Sequence, residues 1–91
     1  MKKLVTVTEV EGEGFTALLG KQVMIFCMNY IYTGTLTGVN KDCVLLENAA
    51  IVYETGGFDK PNFADAQKLP KPLYIQLASV ESYSETTKLL L

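Results

Sequence analysis

The sequence predicts a small, strongly bent β-barrel of five strands behind one short helix, in a single domain. Three observations predict it. The apolar period is helical only between Phe15 and Leu19 and becomes two from Lys21 onward. Gly34, Gly38 and a parity break near Ala78 fall where a short sheet must curve in order to close. A chain of 91 residues that is 48% hydrophobic and 20% charged is globular, but leaves little surface to bury on its own.

Residues 3–10 (KLVTVTEV) are β-branched and threonine-rich and read as a short strand or ordered arm, so the arm is placed at 1–12. Glu11-Gly12-Glu13-Gly14 breaks the pattern. Phe15, Leu18 and Leu19 then form one apolar stripe on about two turns of helix. Gly20 stands where a left-handed helix end belongs. Such a helix is too short to persist in water and must dock on something apolar.

The barrel is expected over 13–84. In the first strand Val23, Ile25 and Cys27 face one way and Met24, Phe26 and Met28 the other, so both faces need cover. Either the arm, 3–10, or Leu89-Leu90-Leu91 of the tail (85–91) is expected to lie over the second face. Thr33 to Val39 is a second strand, Asn40-Lys41-Asp42 a tight polar turn, and Cys43 to Glu54 a long third strand with a bend at Glu47-Asn48. Residues 55–70 (TGGFDKPNFADAQKLP) carry turn formers throughout and read as a long loop. Pro72 opens a fourth strand, and a sharp corner near Ala78 leads into a fifth, ending about Tyr83. On this pattern alone, SH3-like, OB and Sm-like barrels all remain open.

Composition narrows the function. The net charge is −2, all eight basic residues are lysine, and histidine and tryptophan are absent. A nucleic-acid binder usually carries a basic surplus and the bidentate fork of arginine, so this balance argues mildly against tight, non-specific RNA or DNA binding. Without histidine, and without a nucleophile beside a base, no catalytic site is expected. Glu9, Glu11 and Glu13 read as a solvated face, and Gly12-Glu13-Gly14 and Gly56-Gly57 as turns, not phosphate loops. Cys27 and Cys43 are sixteen positions apart with no partner ligands, so no metal and no cofactor is expected, only reduced thiols. The start, Met1-Lys2-Lys3-Leu4, runs into Thr6, Thr8 and Glu9, too polar for a signal peptide, and no run approaches a membrane span. The expected location is cytoplasmic, with no membrane partner.

Four fragments resemble the Sm/Hfq-like family across 15–83, about three quarters of the chain. Leu18-Leu19-Gly20-Lys21-Gln22-Val23-Met24-Ile25 looks like the family's LLGKxVxI opening, and Tyr32-Thr33-Gly34-Thr35-Leu36 like its YxGxL. Asn40 through Asp42-Cys43-Val44-Leu45-Leu46 to Asn48 is similar to its third strand, in particular the Hfq form FDQFVILLKN. Ile75-Gln76-Leu77 with Val80 and Tyr83 sits where the family has IRG followed by nVxxI.

The resemblance implies a mainly β, Sm-like, five-stranded, strongly bent small barrel with a short N-terminal helix. It also implies a ring of about five to seven copies, closed by pairing the fourth strand of one subunit with the fifth of the next. It further implies an RNA-associated scaffold for single-stranded RNA, with candidate contacts Asn40, Lys41, Asp42 and Gln76 in the pore turns. The family's base stacker, its amide reader and its arginine are replaced here by Asp42, by Cys43 and Val44, and by Gln76. RNA binding is therefore expected to be weak and atypical. The alternative is a structural or protein-interaction ring that has lost nucleic-acid binding, favoured by the acidic balance. Phe58 and Phe63 are candidates for a partner-binding loop, while the five tyrosines read as barrel and interface residues.

Overall fold

A computed structural model describes residues 14–90. The expected arm at 1–12, with its strand at 3–10, and the final Leu91 lie outside the described residues. The chain runs through α1 (Gly14–Ala17), β1 (Gln22–Cys27), β2 (Ile31–Val39), β3 (Cys43–Glu54), β4 (Asp65–Lys68), β5 (Leu73–Gln76) and β6 (Val80–Glu85). The helix is one turn, not two. Gly20, at φ 84°, ends it as a left-handed residue, and its N–H is captured by the Leu36 carbonyl at 2.7 Å, drawing the chain into the sheet. Phe15 and Leu18 therefore pack on the barrel, while Leu19 is left 46% exposed and takes no part in the expected stripe.

The sheet is antiparallel in the order β4-β3-β2-β1-β6, and β5 also pairs with β3. One long strand thus serves two partners along the same edge. Cys43–Leu46 pairs with β5, and Ala50–Glu54 pairs with β4. Between them the strand bends at Glu47–Asn48, as expected from its interrupted pattern. Asn48 is the one non-glycine residue at positive φ (51°) among the described residues, and the β2–β3 register jumps there, from Thr33↔Ala50 to Thr35↔Glu47.

The corner near Ala78 is a 3-10 turn, Leu77–Ser79, closed by the Val80 N–H on the Leu77 carbonyl. The five expected strands are all present. The departure is in 55–70: the segment is not a plain loop, because Asp65–Lys68 forms a sixth strand on the free C-terminal half of β3. A strand reading DAQK has little β-propensity of its own. Its stability comes from the edge it completes.

The strongly bent sheet encloses one core and covers another. Val23, Ile25, Leu36, Val44, Leu46, Ala49 and Ile75 fill the barrel. On the opposite face of β1, Met24 joins Val52 and Phe63, with Phe26, Ile31, Ala66 and Leu90 against them. The two-faced pattern of β1 is thereby satisfied: Leu90 of the tail supplies part of the cover, and Phe63 of the 55–70 segment supplies more. Met28, at the end of the stripe, stays exposed. No helix among the described residues is long and apolar enough to cross a membrane.

Candidate nucleic-acid interface

The β2–β3 turn is built by Asn40. Its backbone N–H donates to the Cys43 carbonyl (3.0 Å), and its side-chain oxygen accepts from the N–H groups of Asp42 (2.7 Å) and Cys43 (2.9 Å). This is the Asx arrangement for which asparagine suits a turn. The turn is tied to the β5–β6 corner, since the Leu77 N–H donates to the Asp42 carbonyl at 2.9 Å, and Cys43 lies opposite Gln76 in the ladder. Asn40, Lys41, Asp42 and Gln76, chosen from two separate stretches of sequence resemblance, thus lie at one end of the barrel. Lys41, Asp42 and Gln76 are exposed. The carboxamide oxygen of Asn40 is committed to the turn, so its amide N–H₂ is what it can offer a ligand. A cation and a carboxylate on adjacent exposed residues make this end electrostatically mixed, suited to a weak phosphate contact and not to a strong one.

The two loop aromatics part company. Phe58 is at the surface, 68% exposed. Phe63 is not available to a partner: it is 1% exposed, inside the second core, with its N–H donating to the Leu89 carbonyl at 3.0 Å. Lys88 explains why. Its ammonium is buried and donates to the carbonyls of Gly57 (2.7 Å) and Lys60 (2.8 Å), and it lies 5.7 Å from the Phe63 ring centroid. The Gln22 amide donates to the Lys88 carbonyl (2.7 Å), and the Leu89 N–H to the Pro61 carbonyl (2.9 Å). The tail is therefore a strap over 57–63. Nothing in a lone lysine before three leucines announces this, because the acceptors lie some thirty residues upstream.

The structure also gathers tyrosines that no sequence pattern groups. Tyr30, Tyr32 and Tyr74, with Asn29, Gln76 and Ser79, line a half-open cavity of about 460 Å³ at the mouth of the barrel. The Tyr30 and Tyr32 rings are 6.2 Å apart and tilted by 55°. Cys27 lies in the same wall. Burial pushes its thiol pKa up, and the nearby Glu81 charge adds to the shift. Burial likewise raises Tyr32, helped by Cys27 and Tyr30. Gln76 belongs to both features, so the tyrosine-lined mouth and the Lys41 turn are continuous. Tyr83 is elsewhere, stacked on Phe15 with ring centroids 3.6 Å apart. Cys27 and Cys43 are free thiols.

No family model matches the chain, and no curated protein matches it. Solved structures do. The SmAP1 heptamer of P. aerophilum is similar at a TM-score of 0.63 and 18% identity, over 79% of this chain and 86% of that one. A heptameric archaeal Sm protein gives 0.63 at 18% identity over 79% and 94% of the two chains. The Pyrococcus abyssii Sm protein, solved in complex with a uridine heptamer, gives 0.57 at 18% identity over 79% and 92%. Topology, bend and corner agree with that likeness: the chain has the Sm-like fold.

Proposed function

We propose that this chain closes into a homo-oligomeric ring of about five to seven copies through the outer edges of β5 and β6, and that the ring is a binding scaffold with weak affinity for single-stranded RNA. The observation that carries the reading is the treatment of the sheet edges. Among the described residues β4 and β5 pair only with β3, and β6 only with β1, so three outer edges are open. The β4 edge is short and carries Asp65 and Lys68, the charges that guard an edge against pairing. The β5 edge, Leu73-Tyr74-Ile75-Gln76, carries none, so the carboxylates Glu81 and Glu85 on β6 meet no like charge across that pairing. Strand β5 on one copy and β6 on the next satisfy each other if the assembly closes, and the solved neighbours described as heptamers support that use of the fold. The neighbour solved with a uridine heptamer supports RNA as the ligand class.

In the ring, Lys41 repeats at the pore turn, with Asn40 and Gln76 offering hydrogen bonds and Asp42 opposing phosphate. The exposed Asp42 is also what favours the second reading, a structural or protein-interaction ring without nucleic acid. Native mass spectrometry with and without short oligouridylate separates the two. The expected result is a single ring mass that takes up oligonucleotide at 50 mM salt. About six lysine–phosphate contacts predict roughly a three-hundredfold loss of affinity between 50 and 200 mM, at a single-strand slope of about −0.7 per contact. A 10 kDa monomer at micromolar concentration overturns the ring. A ring that takes up no oligonucleotide at 50 mM overturns the RNA reading and leaves the structural ring.

A further inference from the structure

We propose that the tyrosine-lined mouth between the β1–β2 turn and β5 is a base-stacking site, in which Tyr74 and Tyr30 take the place of the missing stacker and Gln76 reads the edge of the base. The inference rests on the RNA reading above and assigns it a second, separate contact. Three observations carry it.

The mouth first has the right chemistry. Tyr74 is 68% exposed and Tyr30 is 50% exposed, both on a cavity of about 460 Å³ whose lining also includes the amide-bearing residues Asn29 and Gln76. Flat rings interleaved with groups that both donate and accept are what an unpaired base requires. Side chains on a strand stand out from the faces of the sheet, not along its hydrogen-bonding edge. Pairing β5 with a neighbouring β6 therefore uses the backbone edge and leaves the Tyr74 ring on the face.

The mouth is also placed to receive a strand already held at the pore turn. Gln76 lies opposite Cys43, next to the Asn40–Asp42 turn, so a nucleotide whose phosphate meets Lys41 has this cavity beside it. Lys71 precedes β5 at its other end, so cations flank Tyr74 along the strand. Finally, the electrostatics set a direction. The charge that helps raise the Cys27 pKa is the Glu81 carboxylate. It keeps phosphate away from that wall and favours entry of the uncharged base, with the backbone on the Lys41 side.

The test uses the full chain, oligouridylate and oligoadenylate six to eight nucleotides long (about one per subunit), and four variants. Tyr74→Ala removes the ring from every copy and is expected to weaken binding at least about fivefold, the least expected for a single stacked base and more for each further subunit engaged, without changing the slope of affinity against salt. Tyr30→Leu is expected to weaken it in the same direction. Tyr74→Phe keeps the ring and is expected to bind within about twofold of the parent. In contrast, Lys41→Ala is expected to flatten the salt dependence. If the parent binds and Tyr74→Ala binds equally well, this site is overturned and the Lys41 contact stands. If Tyr74→Ala changes the ring mass in native mass spectrometry, the residue belongs to a protein interface and the site is overturned. If the parent binds neither oligonucleotide, the RNA reading falls and this inference falls with it.

Discussion

Gly34 shows how one residue decides the bend. An added Cβ there would sit 2.9 Å from the Glu47 carbonyl oxygen and 3.1 Å from the Ala49 Cα, both backbone atoms that cannot swing aside. The requirement is close approach and not an unusual φ, since β2 must press against β3 where the latter turns. Gly20 is the opposite case, with open space around its Cβ position and a φ of 84°. Gly34→Ala is expected to cost about 1–3 kcal/mol, the range for overpacking a filled interior. A lowered urea midpoint at unchanged m-value would show it. An unchanged midpoint would mean that the strands separate at that point without penalty. The resemblance to YxGxL marks this glycine in the sequence, but only the three-dimensional contact says which partner it serves.

Among the elements, those whose pattern is local are the ones that sequence predicts well. The two-faced β1, the left-handed Gly20, the bend at Glu47–Asn48 and the corner near Ala78 are all legible, because each is written in the parity or chemistry of neighbouring residues. Strand β4 and the tail strap are not. DAQK between two prolines lacks alternation, and its pairing is a property of the β3 edge. The residues around Lys88 say nothing of its partners, yet its ammonium is held by two carbonyls from the 57–60 turn.

The candidate site is legible in the same uneven way. Asn40, Lys41, Asp42 and Gln76 follow from family resemblance, while the tyrosine mouth depends on strands that meet only in the fold. For the strap, ending the chain after Glu85 removes Lys88 and Leu90 and uncovers Met24, Phe26 and Phe63. Fluorescence of a hydrophobic dye is expected to rise with far-ultraviolet circular dichroism retained. Equal dye binding by the truncated and full chains would mean that the second core closes without the tail.

At the scale of the whole molecule, the proposed ring would multiply a small change at an edge. The Leu77 N–H points to the β3 side, where it donates to the carbonyl of Asp42, the residue just before that strand. Antiparallel alternation then turns Ile75 toward β3 and leaves the backbone groups of Tyr74 and Gln76 facing the open edge. Gln76 has φ −71°, close to the value that proline imposes, and Ile75 before it is extended, as a residue preceding proline must be. Gln76→Pro therefore fits the subunit as it stands while deleting one outward N–H. That donor is one the proposed ring needs and the isolated subunit does not.

Losing one such bond costs about 1 kcal/mol at an interface. In a ring of about six, six interfaces are shared among five association steps, or about 1.2 kcal/mol each. The concentration at which rings fall apart should then rise about eightfold, with the thermal unfolding of the dilute monomer nearly unchanged. Dilution series by native mass spectrometry or sedimentation velocity would measure it. A ring that dissociates at the same concentration with proline at position 76 would mean that β5 is not the pairing edge, and that copies of this chain meet through another surface.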